Sequence, residues 1–275
     1  MVKGLYTAHT GMVNEMKRLD VLANNLANAD TTGYKKEGTT SRTFADEMSF
    51  RLKDSSNAYM PKKLGGITYG VHLGQVYTDY STGSFKVTDN TTDFAIDGNG
   101  FFAIAFTDKQ GNTSVKYTRD GSFTVNTEGY LVTKDGDYVL NATGAMNGDP
   151  IPAPELLASR NNFIQVDPNA TVTVNKMGYV IQNDQVVGTL GVVDVDNYDY
   201  LEKYGENMYN LLDGGNRIAT DAKVEQGVLE TSNVNVVNEM VNMITIQRAY
   251  EANQKVITSI DSTLDRAVNN VGRVQ

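Results

Sequence analysis

The chain has 275 residues and contains no cysteine, which excludes several kinds of chemistry. Disulfide bonds, zinc–thiolate sites and cysteine nucleophiles all depend on a residue that is missing. The absence is also consistent with a location outside the reducing cytoplasm.

Long apolar runs are missing as well. Residues 1–26 carry several charged side chains, so they lack the apolar core of about 7–15 residues found in a Sec signal peptide. These side chains are Lys3, Glu15, Lys17, Arg18 and Asp20. No window approaches about 18 apolar residues in succession, so we expect no transmembrane segment. If the protein leaves the cytoplasm, another export route must carry it.

Positive charge is scarce, because the formal net charge is −9 and the isoelectric point is about 4.8. Binding to nucleic acid requires a basic surface that neutralises phosphates. The pairs Lys35-Lys36 and Lys62-Lys63 are isolated and are typical of solvated surface. We therefore expect no nucleic-acid partner.

Catalytic and metal-binding motifs are also lacking. The two histidines, His9 and His72, are far apart in the chain, and neither has a ligand at metal-binding spacing. No phosphate-binding loop and no nucleophile elbow occurs. Asp135-Gly-Asp137 and Asp194-x-Asp196 suggest calcium, but the twelve-residue loop with its terminal glutamate is absent, and turn aspartates explain them better. We expect no catalytic residue, no metal and no cofactor.

What the sequence does have is a regular apolar pattern at its C-terminal end. Every seventh residue from Val236 is apolar, and a second row follows three places along, with Glu239 before it. Two such rows are typical of the seam of a supercoiled helix. A helix over the whole stretch Val234–Val271, about 38 residues, would be roughly 57 Å long, which exceeds one face of a compact domain. The rows are Val236, Met243, Tyr250, Ile257, Leu264 and Val271, then Ile246, Asn253, Ile260 and Ala267.

A matching pattern at the N-terminal end predicts a first helix over residues 1–29. One row starts at Val2 and a second at Leu5, and stop signals follow from Asn28 to Gly33. The two terminal helices are therefore expected to pack together. Asn24, Asn25 and Asn28 either cap and fray the helix end or hydrogen-bond between packed helices. The rows are Val2, His9, Met16 and Ala23, then Leu5, Met12, Leu19 and Leu26.

The middle of the chain predicts β structure. Residues 30–48 read as a turn and a polar run, and residues 49–75 contain glycines that suit an extended connector. In residues 76–222, short apolar runs alternate with turn dipeptides, which predicts antiparallel hairpins in a sandwich or barrel. Four of the five prolines fall in residues 150–168 and indicate a surface excursion. The dipeptides are Asp120-Gly121, Glu128-Gly129 and Asp135-Gly136.

Together these patterns predict an α+β fold with an antiparallel β-rich domain inserted between long terminal helices that form a coiled-coil-like domain. The predicted helical domain comprises residues 1–48 and 223–275, the connector residues 49–75, and the β-rich domain residues 76–222.

Four ordered motifs resemble one protein family, the bacterial flagellar rod and hook proteins. Leu19–Lys35 (LDVLANNLANADTTGYK) resembles the family's N-terminal signature. Gln226–Ile244 (QGVLETSNVNVVNEMVNMI), followed by Gln247–Asn253 (QRAYEAN), resembles its C-terminal signature. Asp93–Phe102 (DFAIDGNGFF) and Tyr117–Phe123 (YTRDGSF) resemble its β-domain motifs. The modest length is similar to that of a distal or proximal rod subunit, and a hook or other axial coiled-coil protein of a flagellum or phage-tail-like assembly is the alternative.

The resemblance implies a structural subunit of the flagellar basal-body rod, outside the cytoplasmic membrane. Such proteins are exported by the flagellar type III apparatus and form a helical homo-polymer that contacts other rod and hook subunits. Their terminal helices form the inner layer of a tube that serves as drive shaft and export channel. The expected assembly interface comprises Leu5, Met12, Leu19, Leu22, Asn25, Leu26, Val236, Met240, Met243, Ile244, Tyr250, Ile257, Ile260 and Leu264.

Two rival functions are a self-contained coiled-coil interaction protein, such as an adhesin or phage-tail component, and an enzyme on a β scaffold, such as a peptidoglycan hydrolase. The first explains the helices but not the four motifs. The second requires paired carboxylates in a recognisable motif and further chain length. Helix nucleation is costly, so we expect the termini to be loose in a free monomer and to order on assembly.

Overall fold

The computed structural model describes residues 2–45, 47–51, 62–109, 113–147, 162–168, 170–205 and 207–271. The chain forms two compact units. The helical unit comprises Met1–Ala27, Glu37–Asp79 and Asn235–Gln275, and the β unit comprises Asn28–Lys36 and Tyr80–Val234. The predicted α+β class, with a long C-terminal helix and a β-rich part, is confirmed.

The helices and strands follow in chain order. The helices are α1 (Val2–Ala27), α2 (Ala142–Asn147) and α3 (Val236–Arg266), and α3 continues as a π-helical turn over Ala267–Val271. Strands of the helical unit are β1 (Glu37–Thr43), β2 (Glu47–Arg51), β3 (Lys62–Ile67) and β4 (Val71–Thr78). Strands of the β unit are β5 (Phe85–Val87), β6 (Phe94–Asp97), β7 (Phe101–Thr107), β8 (Thr113–Thr118), β9 (Phe123–Val125), β10 (Leu131–Thr133), β11 (Tyr138–Val139), β12 (Thr173–Val174), β13 (Tyr179–Gln182), β14 (Gln185–Thr189), β15 (Val192–Val195), β16 (Leu201–Tyr204), β17 (Met208–Leu211), β18 (Arg217–Ala219), β19 (Lys223–Gln226) and β20 (Val228–Glu230).

Helix α3 begins at a side-chain cap. The Asn235 side chain accepts a hydrogen bond from the backbone N–H of Asn238 at 3.0 Å, which satisfies a donor that the first helical turn leaves open. No proline or glycine then occurs over its 31 residues, so the helix continues without a break.

The two long helices of the helical unit contact each other in antiparallel orientation. A Cβ atom at Gly4 would lie 3.7 Å from Cδ1 of Ile260, and one at Gly11 would lie 3.0 Å from Nδ2 of Asn253. Rising residue numbers in α1 therefore meet falling numbers in α3. Glycine at position 11 lets the two backbones approach at this level.

Antiparallel ribbons complete the helical unit. Strand β1 pairs with β4, with a register shift between Thr40 and Ser41, and β2 pairs with β3. The structure thus places strands β3 and β4 in the predicted connector, of which residues 52–61 lie outside the described part. Most of the predicted proline-rich excursion, through residue 161, also lies outside the described residues.

The β unit is built on a nine-stranded sheet in which neighbouring strands pair antiparallel, as the turn pattern predicts. Its path runs β16-β17-β8-β7-β11-β10-β9, and β15 joins β7 to β18. Strand β7 supplies apolar side chains to both sides. Phe101, Ala103 and Ala105 belong to one buried cluster, and Phe102 belongs to the other. A strand buried on both faces explains why its sequence is an unbroken apolar run.

One predicted hairpin is wrong. Strands β9 and β10 pair across Glu128-Gly129, and β10 and β11 pair across Asp135-Gly136. Across Asp120-Gly121, however, β8 pairs with β7 and β17, while β9 pairs with β10. Gly121 is instead packed against the backbone of Phe94, where a Cβ atom would come within 1.8 Å of the carbonyl oxygen.

The boundary between the units differs from the one expected at residue 223. Strand β19 pairs with β6, and β20 pairs with β5, so residues 223–234 belong to the β unit. Residues 28–36 also belong to it, whereas residues 37–79 belong to the helical unit. The helices, expected over residues 1–29 and 234–271, span Val2–Ala27 and Val236–Arg266, and strand pairing between distant segments decided the division.

Candidate functional site

The expected interface residues of α1 lie mostly at intermediate exposure. Leu5, Met12, Leu19, Leu22 and Leu26 are half-buried. Asn25 is fully buried, and its side chain pairs with the backbone of Glu37 in β1: Nδ2 donates to the carbonyl oxygen at 2.8 Å, and Oδ1 accepts from the N–H at 2.9 Å. These bonds join the helix to a strand, which neither interpretation of the asparagines predicted.

The row that begins at Val2 does not form half of the seam, contrary to the prediction. His9, Met16 and Ala23 are exposed. The contacts at Gly4 and Gly11 place a different seven-residue row of α1 against α3. The prediction fixed the period of the pattern, but it could not tell which of the neighbouring rows faces the partner helix.

In α3, the residues of lower exposure alternate by three and four positions. Glu239 and Ile246 are buried, and the others are half-buried. This single seam takes members from both rows seen in the sequence. It comprises Glu239, Met243, Ile246, Tyr250, Asn253, Ile257 and Ile260.

The opposite face of α3 carries an exposed apolar stripe in its first part. Val237 is 67% exposed, Met240 45%, Val241 57% and Ile244 49%. At 100° per residue these positions lie across the helix from Ile246 and its neighbours. The four side chains are spaced three and four residues apart, so they form one continuous apolar surface along the helix. The expected interface residues Val236 and Leu264 are exposed as well.

A buried ion cluster lies in the β unit, and the sequence analysis missed it. The Lys35 ammonium is 2.6 Å from Oε1 of Glu230, and Nη1 of Arg119 is 3.1 Å from Oε2 of the same carboxylate. The three side chains are at most 3% exposed. The backbone N–H of Gly83 also donates to Oε1 of Glu230, at 2.8 Å. One carboxylate therefore joins three distant segments.

Both cations also donate hydrogen bonds to backbone carbonyl oxygens. Lys35 donates to the carbonyl oxygen of Ser81 at 2.8 Å, and Arg119 donates to that of Gly98 at 2.8 Å and that of Ile96 at 3.4 Å. Buried charges are tolerated where such partners surround them. Removal of the shared carboxylate would leave two cations buried without it.

The four motifs quoted above meet at this cluster. Lys35 ends the N-terminal motif, Arg119 lies in the YTRDGSF motif, and Glu230 lies in the C-terminal motif. Ile96 and Gly98, which accept from Arg119, lie in the DFAIDGNGFF motif. The available signal was that opposite charges occur within these motifs, although each motif also contains a further charged residue.

Gly33 and Tyr34, the two motif residues before Lys35, are also buried in the β unit. Gly33 has φ +69°, and a Cβ atom there would lie 2.4 Å from the backbone nitrogen of Asp120. Its N–H donates to the carbonyl oxygen of Glu230 at 2.9 Å. Tyr34 is fully buried, and the ammonium of Lys203 lies 4.2 Å from its ring centroid. Only glycine allows this close approach of backbones.

Shifted pKa values in the β unit follow from burial. Burial raises the pKa of Tyr198 to about 12, and the hydrogen bond that it donates to Asp194 at 2.8 Å adds to the shift. Burial lowers the pKa of Lys116, which the charge of Glu202 partly opposes. Asp194 also accepts from the N–H of Val195 at 2.8 Å, but it lies within strand β15 and pairs with Ile218, so the turn interpretation is wrong for this aspartate.

A polar cleft of about 390 Å³ lies in the β unit and includes Asp120, Asp135 and Asp137 in its lining. Burial raises the pKa of Asp137, against a backbone hydrogen bond from Thr107. Among the described residues, no three histidine, aspartate or glutamate side chains are placed to hold a metal ion. Among the helices that the structure describes, none combines the length and the hydropathy needed to cross a membrane.

Family models match three regions of the chain. "Flagella basal body rod protein" matches residues 5–35, "Flagellar hook protein FlgE/F/G D1 domain" matches residues 95–182, and "Flagellar basal body rod FlgEFG protein C-terminal" matches residues 225–270. The ion cluster draws one residue from the first and one from each of the other two.

Several curated proteins are similar over their whole length. The flagellar basal-body rod protein FlgF of Caulobacter vibrioides is 34% identical over 276 residues, which cover 100% of both chains. The flagellar basal-body rod protein FlgG of Bacillus subtilis is 34% identical over 282 residues, covering 98% of this chain and 99% of the relative. The flagellar hook-basal body complex protein FlhO of Bacillus subtilis is 31% identical over 291 residues, covering 100% of both.

Proposed function

Because the chain belongs to the flagellar basal-body rod protein family, we propose that it polymerises through its terminal helices into the tubular rod of the flagellum. It is a structural rod subunit and not an enzyme. The observation that carries the polymerisation is the exposed stripe of Val237, Met240, Val241 and Ile244 on α3. Each such side chain, once covered, contributes roughly 1.5–3 kcal/mol.

The helices α1 and α3 act as a coiled-coil-like pair in this proposal. The three-four alternation of the α3 seam supports it, because that spacing keeps one row facing a partner helix. The antiparallel contacts of Gly4 with Ile260 and of Gly11 with Asn253 support it as well, because the two contacts are separated by seven residues along each helix. Half-buried Met243, Tyr250 and Ile257 would serve the pair within one subunit.

The remaining expected interface residues would serve contacts between subunits. Val236, Met240, Ile244 and Leu264 are exposed in the single chain, so burial of their side chains requires another molecule. A contact between two different surfaces of identical subunits generates a helical filament when its rotation does not close into a ring. The tube would transmit torque because each subunit contacts several neighbours.

Export and location follow from the same proposal. The subunit would pass through the flagellar type III export apparatus and join other rod and hook subunits outside the cytoplasmic membrane. The tube itself would then form the channel through which later subunits travel.

A double substitution on the stripe tests the proposal. In cells whose own copy is deleted, we expect Met240→Asp/Ile244→Asp to abolish the rod in electron micrographs of isolated basal bodies, because charged side chains cannot be buried there. The matched control is Gln247→Asp/Gln254→Asp, which adds the same two negative charges at exposed polar positions of the same helix. Normal rods from the stripe variant, at wild-type protein level, would contradict the proposal.

A further inference from the structure

Both histidines of the chain line one cleft of about 180 Å³ in the helical unit. One wall is a single face of α1, formed by residues at positions 6, 9, 10, 13, 14 and 17, and the other wall belongs to the β1–β4 ribbon and the residue after β1. Two polar contacts hold the walls together. Thr10 donates to the carbonyl oxygen of Tyr69 at 3.2 Å, and Asn14 Nδ2 donates to Ser41 Oγ at 3.2 Å.

The cleft combines an apolar floor with a basic rim. Half-buried Val13, Val71 and Leu73 form the floor, and Phe44 stacks on His72 with ring centroids 4.7 Å apart. The rim carries Lys17, His9 and His72, all exposed. Among the described residues that line it, none is acidic, although the chain as a whole has a net charge of −9. A ligand that is both apolar and acidic fits this lining.

Such a surface exists at the far end of α3. The contacts of Gly4 with Ile260 and Gly11 with Asn253 give paired residue numbers that sum to 264. The first residue of α1, Val2, therefore lies level with residue 262. From Leu264 onward, α3 and its π-helical turn therefore lie past the level of Val2, the first residue of α1.

One face of the extension is both apolar and acidic, and Arg266 lies about 200° around the helix from Leu264. Leu264 is 38% exposed and Val268 69% exposed, and they lie four residues apart on one face. Asp261 and Asp265 flank them at helical spacing and are exposed. Asp265 accepts a hydrogen bond from Asn269 at 2.6 Å, which orients its carboxylate without neutralising it. This face complements the cleft in both polarity and charge.

We propose that the α3 extension of one copy, with Asp261, Leu264, Asp265 and Val268, docks into the α1–ribbon cleft of a second copy. This inference rests on the proposed function and names two of the surfaces that polymerisation uses. Leu264 and Val268 contact Val13, Val71 and Leu73, and Asp265 approaches Lys17. Because the two surfaces differ, the contact adds copies head to tail.

One chain cannot make this contact with itself. Lys17 lies level with residue 247 of its own α3 by the pairing rule, so Asp265 is 18 residues further along. At 1.5 Å per residue that separation is roughly 27 Å. A disulfide requires Cα atoms about 4.4–6.8 Å apart. A bridge between these two positions can therefore form only between copies.

The absence of cysteine makes cross-linking a clean test. The full-length double variant Lys17→Cys/Asp265→Cys is oxidised and run on a non-reducing gel. We expect a ladder of dimers, trimers and longer species. Each single variant forms no species beyond a dimer, because one cysteine can join only two chains. The matched control Lys17→Cys/Lys255→Cys also has an exposed second cysteine on α3, but this cysteine lies about 15 Å along the helix from position 265.

A ladder several-fold stronger than that of the control pair supports the contact, and an equal ladder overturns it. Charge exchange gives a second readout: Lys17→Glu lowers polymer yield in sedimentation, and Lys17→Glu/Asp265→Lys restores it. Absence of this rescue would also overturn the contact. A wild-type chain that stays monomeric under all conditions would count against the proposed function itself, whereas a polymerising wild type with no ladder would count against the contact alone.

Discussion

The β unit buries its apolar side chains within itself, whereas the helical unit leaves many of its own exposed. Phe94, Phe101, Phe102 and Phe123 are each at most 1% exposed, in two clusters that share strand β7. In α3, only Glu239 and Ile246 are buried. The difference teaches that the β unit covers its own apolar core, whereas the exposed apolar side chains of the helices are the ones that the proposed polymerisation would cover.

The largest loss of stability in the β unit is expected from Glu230→Gln. The change removes the charge that Lys35 and Arg119 share, so we expect the β unit to lose about 3–5 kcal/mol of unfolding free energy. Urea denaturation followed by the tyrosine signal in near-ultraviolet circular dichroism measures it.

The matched control for that change is Glu225→Gln. Lys176 and Glu225 are 3.1 Å apart but exposed, and such pairs contribute within about 1 kcal/mol. Equal losses in the two variants would mean that the buried cluster does not hold the motifs together.

A smaller loss is expected from Gly33→Ala. The residue has φ +69°, which costs an alanine about 1–3 kcal/mol, and the new Cβ would clash with the backbone of Asp120 and so add to the loss. Gly136→Ala separates the cost of the positive φ from the cost of the clash, since φ is +95° there but nothing lies within 4 Å of the new Cβ. Urea curves that coincide for the two variants would show that the close approach at Gly33 is unimportant.

The smallest effect on the β unit is expected from Ile257→Asp, on the α3 seam. We expect its unfolding free energy to change by less than about 0.5 kcal/mol, because distant sites act independently. Polymer formation in sedimentation velocity should be lost. If the β unit were destabilised as strongly as the helices, the seam would serve the core of the monomer.

The sequence predicted both terminal helices and the antiparallel strands, because periodicity depends only on neighbouring residues. It did not predict which row of α1 faces α3, since Gly11 contributes no apolar signal although it lies at the contact. Nor did it predict the ion cluster. Lys35, Arg119 and Glu230 come together only when strand β20 pairs with β5 and residues 28–36 join the β unit.

Amide hydrogen exchange on the full chain, free and polymerised, tests the central claim most directly. Regions with few buried contacts open at low free energy cost. We expect amides of β7 and β8 to be protected in both states, and amides of α3 to be protected strongly only in the polymer. Equal, strong protection of α3 in the free chain would contradict the account.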